Sequence, residues 1–165
     1  MPVKVTHFVH DFEKRHGFKG EIAWNGGYIL NAELVGKLGL PESYIGSPLG
    51  MIISDGRMVS PPLFNKAALL VYKDGHLDIR RVNCRTGLKL FIEDREFDVP
   101  PECYNPVHPN GPVCYYDLMY DREKISGDGR IIVRLSGNIV KEIIPSEKGE
   151  ELGLFPVGLT LSFDP

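Results

Sequence analysis

The chain has 165 residues, enough for one domain with a core of its own, and its 42% hydrophobic and 25% charged residues sit near globular averages. The formal charge is −3 and the 19 Lys and Arg are scattered, so there is no basic stripe to neutralise a phosphate backbone and no nucleic acid is expected as partner. No apolar run approaches the roughly 20 residues that cross a bilayer, and the opening residues lack the apolar segment and cleavage site of a signal peptide, so the reading is a soluble chain with no membrane partner and no encoded export.

Thr6 to His16 predicts a helix, because Phe8, Val9 and Phe12 fall on one stripe and Gly17 follows as a stop. His7 and His10 share a face of it, but no third ligand stands at a matching spacing, so they read as a solvated face. After Gly20 the chain turns to short apolar runs punctuated by Gly, Pro, Asn and Asp, with 18 Gly and 13 Pro in all, and strands are expected to dominate. In "IAWNGGYIL", Asn25, Gly26 and Gly27 break two apolar runs. Two adjacent glycines allow positive φ and close approach to the main chain, so both a plain turn and a ligand site are open there. Gly46 to Gly50, "GSPLG", reads as a loop around Pro48.

Asp55-Gly56 and Asp74-Gly75 each separate two apolar arms, and Asp-Gly is a preferred pair for a two-residue type I′ turn. In the second hairpin that turn would pair Tyr72 with Leu77 and Leu70 with Ile79 on one face. Residues 98–112 contain five prolines, which deny main-chain donors, and a loop over the sheet is expected. In "RIIVRLSGNIVKEII" a two-residue Gly137-Asn138 loop would set Arg134 against Lys141. A three-residue loop Ser136-Gly137-Asn138, with Asn138 left-handed, avoids this and gathers Ile131, Val133, Leu135, Ile139 and Ile143 on one face. There is no internal repeat, so the expectation is a single α+β domain over residues 1–165: an N-terminal helix packed on a largely antiparallel, twisted β-sheet with several hairpins.

Cys84, Cys103 and Cys114 show no C-x-x-C pairing, and Cys103, His108 and Cys114 lack both metal spacing and a fourth ligand, so no metal is expected. Nucleophile-elbow, phosphate-loop and H-E-x-x-H patterns are absent, and no cofactor is implied. Asp55, Asp74, Asp78, Asp94, Asp98, Asp117 and Glu142 are candidates for paired-carboxylate chemistry, but spatial separation decides such pairs, and no catalytic acid or base is assigned.

The order of motifs carries a resemblance. A helix, "IAWNGGYI", and then "GSPLGMIISDGRMVSPPLFNKAALLVYKDGHLDIRRVN" is similar to the phosphodiester glycosidase family, in which Asn-Gly-Gly precedes two aromatic residues. Gly50, Asp55-Gly56, Ala67-Ala68, Asp74-Gly75 and Val82-Asn83 follow in the family's order, and "GDGRIIVRLSGNIVKEIIP" with "LFPVGLTLSFDP" is similar to its later strands. Trp24 and Tyr28-Ile29 depart from the family's small residue and Phe-Phe. The family's later Arg-Thr segment and Asp-Gly-Gly-Gly-Ser loop have no counterpart, Arg85-Thr86 lying too early. The resemblance implies the N-terminal part of a hydrolase of sugar-1-phosphodiesters, or a form that has lost catalysis. Asn25, Gly26 and Gly27 would orient the substrate, and Asn83 and Arg85 join the same pocket, arginine because its planar fork suits phosphate. The alternative is a non-catalytic β-rich module that binds a glycan or a protein through the proline-rich loop and Tyr104, Tyr115 and Tyr116.

Overall fold

A computed structural model describes the chain apart from residues 1–3, 22, 24–26, 63–65, 86, 118 and 155–156. Among the described residues are two α-helices and twelve strands, every strand pair antiparallel, so the class is α+β as the sequence predicts. Helix α1 (Val5–His16) begins one residue earlier than predicted and ends where Gly17, at φ 75°, donates its N–H to Glu13 O. The helix buries none of its residues. Its Phe12 ring meets His16 and Phe18 at centroid separations of 4.5 and 5.4 Å, and His7 and His10 are exposed.

The segments 28–30 and 46–49 run antiparallel, with Leu30 N donating to Ser47 O at 2.8 Å and Leu49 N to Tyr28 O at 2.9 Å. The glycine-flanked "GSPLG" loop is thus the partner of the residues after Gly27. Between these segments lies a helix that the sequence reading did not include, α2 (Ala32–Lys37). Asn31 caps it by accepting from Leu34 N at 2.8 Å, and Glu33 pairs with Lys37 one turn on at 2.7 Å. Leu30, Val35, Leu40, Tyr44 and Val157 form a small core beneath this region.

Strands β1 (Ile52–Ser54) and β2 (Arg57–Ser60) form the predicted hairpin. Ser54 faces Arg57, and both Asp55 (φ 51°) and Gly56 (φ 74°) are left-handed, as a type I′ turn requires. Strands β3 (Lys66–Val71) and β4 (Leu77–Val82) also pair, but one residue away from the predicted register, with Leu69 opposite Ile79 and Val71 opposite Leu77. The reason is the turn. Only Gly75 (φ 84°) takes positive φ, Gly75 N bonds Tyr72 O and Tyr72 N bonds His76 O, so the loop has three residues rather than two. Shifting register by one exchanges the faces, and Leu69, Val71, Leu77 and Ile79 all stand on an exposed one. Strands β5 (Leu88–Ile92) and β6 (Arg95–Val99) make a third hairpin, which the sequence reading did not contain because its turn, Glu93-Asp94, has no glycine; Glu93 itself adopts φ 52°.

The main core surrounds the four-stranded sheet. Strands β7 (Val113–Tyr116), β8 (Lys124–Ser126), β9 (Ile131–Ser136), β10 (Ile139–Pro145), β11 (Glu151–Gly153) and β12 (Leu159–Phe163) follow in order; β10-β9-β12-β7 make this sheet and β8 pairs with β11. Every residue of β7 is buried, as are the first four of β12, whose alternating Thr160 and Ser162 are buried as well as its leucines. The predicted three-residue β9–β10 loop is not formed. Ser136 faces Ile139 across Gly137-Asn138, and Gly137 (φ 60°), not Asn138, takes the left-handed conformation. The Arg134–Lys141 clash that argued against this turn is removed by a bulge at Lys141, after which Arg134 faces Glu142. Buried Arg130 ties β12 to the proline-rich loop: its Nε donates to Ser162 Oγ at 2.8 Å and one Nη to Gly111 O and Ser162 O, each at 2.9 Å.

Candidate functional site

At the end of β7 the all-buried run Val-Cys-Tyr-Tyr is followed by Asp117, whose side chain is buried, 3% exposed. A carboxylate in such a place must be hydrogen-bonded to be tolerated. Three donors meet it: the Tyr104 hydroxyl, 3.0 Å from both oxygens, Asn105 Nδ2 at 3.0 Å and Met119 N at 2.8 Å. Asn105 reciprocates by accepting from Asp117 N at 3.0 Å and donating its own N–H to Tyr115 O at 2.9 Å. It does so at φ 49°, a conformation asparagine tolerates better than most residues. The proline-rich loop is therefore docked on the strand that precedes Asp117.

Tyr104 connects this buried pair to the surface. Its ring lies 4.9 Å from that of Tyr115, whose hydroxyl donates to Cys84 O, and the exposed Arg85 guanidinium is near enough to the Tyr104 hydroxyl to act on its pKa. Burial raises the Tyr104 hydroxyl pKa above the ordinary 10.0, Asp117 raises it further, and the Arg85 guanidinium opposes both. The Tyr104 O–H is spent on Asp117, which leaves the phenolic oxygen facing the Arg85 charge. Asn83 holds the turn beneath, its side-chain oxygen accepting from Arg85 N at 3.0 Å. Cys84, between them, is buried, and burial with the nearby Asp117 pushes its thiol up to about 12, so it is a protonated core thiol and no nucleophile at neutral pH.

The other faces of the same two segments border a cleft of about 530 Å³. Val107 and His108 of the proline-rich loop line one part, and Tyr120, Arg122 and Lys124 beyond Asp117 line another. Lys124 pairs with Glu151 at 3.7 Å, and no group of three or more His, Cys, Asp or Glu positioned for a metal occurs among the described residues.

The five sequence-predicted site residues are distributed unevenly. Asn83 and Arg85 are brought together, with Arg85 exposed. Gly27 stands on the separate 28–30/46–49 ribbon, exposed and with nothing within 4 Å of the position a Cβ would occupy. Asn25 and Gly26 lie outside the described residues. Of the tyrosines considered for glycan stacking, Tyr115 and Tyr116 are core residues at 0% and 1% exposure and offer no face to a sugar, while Tyr104 is committed to Tyr115 and Asp117. Asp117 was one of seven unassigned carboxylates in the sequence; an acid placed directly after a fully apolar strand was the one signal that set it apart.

No helix among the described residues is long and apolar enough to cross a membrane. Comparison with protein-family models, with curated proteins and with solved structures finds no match for this chain.

Proposed function

We propose that the chain is a phosphodiester glycosidase-like hydrolase domain whose part in the reaction is to hold a sugar-1-phosphodiester, with Arg85 receiving the phosphodiester. The observation that supports this reading is one exposed guanidinium, Arg85, beside a Tyr104 hydroxyl that is held by the buried Asp117 carboxylate. An exposed arginine presents its N–H donors to a ligand, and its planar fork matches two phosphate oxygens. Cleavage between the anomeric carbon and the phosphate oxygen leaves negative charge on the departing phosphate, and a positioned guanidinium stabilises that charge. Asp117, already accepting from three donors, serves to orient rather than to take a proton from the substrate. The sugar contacts are assigned to Asn25, Gly26 and Gly27 on the resemblance of that motif alone.

Titration calorimetry with a methyl N-acetylglucosamine-1-phosphodiester tests it. Arg85→Ala is expected to weaken binding by about tenfold or more, the scale of one charge-assisted hydrogen-bonded contact, and Arg85→Lys by less. Equal affinity of the wild type and Arg85→Ala overturns the assignment. Hydrolysis of an aryl sugar-1-phosphodiester by the wild type and by Asn25→Ala at equal rates removes Asn25 from the mechanism. Binding of a phosphate-free glycan that is indifferent to Arg85 supports the non-catalytic module instead.

A further inference from the structure

We propose that Cys103 and Cys114 are a redox pair that closes to a disulfide and clamps the loop supplying Tyr104, Asn105 and His108. Three geometric observations converge. Tyr104 and Tyr115 form an isolated parallel bridge, which brings the residues preceding each, Cys103 and Cys114, to the same junction. Both sulfurs donate to one oxygen, Asn110 O, Cys103 from 3.1 Å and Cys114 from 2.8 Å, so the two thiols face the same point. Both are free and buried, shielded from other protein thiols, while the covering residues Asn110 and Gly111 are exposed loop that gives access when it lifts. Burial, with Cys114 nearby, pushes the Cys103 thiol up to about 11.

Closure needs an oxidant, and a small disulfide such as oxidised glutathione suffices. The thiolate of one cysteine attacks the glutathione disulfide and releases one glutathione, which takes up the proton. The second cysteine, deprotonated in turn, attacks the mixed disulfide and releases the other. Two thiols of the protein are oxidised, one glutathione disulfide is reduced to two thiols, and two protons move with the two electrons. The product bridges the ends of residues 103–114, the segment that carries Asn105 to Asp117 and His108 to the cleft. This inference does not depend on what the cleft binds.

The experiment equilibrates the full chain in glutathione redox buffers, folded and in urea, followed by acid quench, alkylation and mass analysis. No Lys or Arg lies between Arg95 and Arg122, so trypsin leaves Cys103 and Cys114 in one peptide and Cys84 in another. The expected result is loss of two hydrogens from the 96–122 peptide with Cys84 still alkylated, at an oxidised-to-reduced ratio at least about tenfold lower for the folded chain than in urea, because the fold raises the effective concentration of one thiol at the other. Three alkylated cysteines, or glutathione retained on one cysteine without closure, at ratios that already close the unfolded chain overturns the proposal.

Discussion

Arg134 Nη1 lies 2.6 Å from Glu142 Oε2 across the β9–β10 ladder, although Lys141 would stand opposite Arg134 if the two strands kept the register set by their turn. The bulge at Lys141 replaces a like-charge pair with an ion pair, and Arg134 also donates to Gly153 O at 2.6 Å. A guanidinium side chain that is 10% exposed depends on such partners, so bulge and ion pair belong together.

Glu142→Gln is therefore expected to destabilise the fold by about 1–2 kcal/mol, less than the loss for a fully buried pair because Glu142 is partly solvated. Urea denaturation checks this through the transition midpoint. An unchanged midpoint would mean that the other partners of Arg134, Gly153 O among them, are enough to hold it.

Asp117→Asn replaces an acceptor oxygen by an NH2 group among donors from Tyr104, Asn105 and Met119. A loss of about 2–3 kcal/mol is expected, the scale of hydrogen bonds to a charged group, and Tyr104→Phe should lose about 1 kcal/mol. Urea denaturation of the two variants gives these values directly. If the proline-rich loop were docked by other contacts, both variants would unfold at the wild-type midpoint.

Stability should fall on the alkaline side. Burial and the nearby Asp117 push Cys84 from the ordinary 9.0 up to about 12, and burial raises Tyr104, Tyr115 and Tyr116 above 10.0. These groups stay protonated in the folded chain after the unfolded chain has released its protons. Their contribution is thus complete below about pH 9 and is lost as pH rises toward the folded values, at up to about 1.4 kcal/mol per pH unit for each group ionised only in the unfolded chain. Denaturation midpoints measured from neutral to strongly alkaline pH should be level at first and then drop. A level profile throughout would mean that these thiols and phenols are solvated.

What the sequence reveals of this molecule follows how local the governing physics is. Asp55-Gly56 sets its own turn because both residues accept left-handed angles, and that hairpin was legible. Asp74-Gly75 has the same letters but a different loop, since Asp74 instead accepts the N–H of His76 at 3.0 Å and leaves the reversal to Gly75. The β9–β10 register turned on a bulge that relieves Arg134 from Lys141, which charge opposition signals but local pattern cannot place. Helix α2 had a legible cap in Asn31 and an i,i+4 pair in Glu33 and Lys37, yet at six residues it is too short for periodicity to reveal. Asn83 and Arg85 are singled out by the resemblance and by arginine's fit to phosphate, and the structure adds the turn in which Asn83 accepts from Arg85 N. Asp117 and Asn105 were not legible, because their partnership spans twelve residues and exists only once the proline-rich loop has folded onto β7.

The position of β12 also bears on how the chain is made. Its residues join β7 to β9, yet they leave the ribosome after both partners, so until Leu159 to Phe163 emerge, Val113 to Tyr116 has an open edge on the side that β12 will fill. An apolar strand waiting in that way is the kind of template that other nascent chains can pair with, and holding it apart is work for a chaperone.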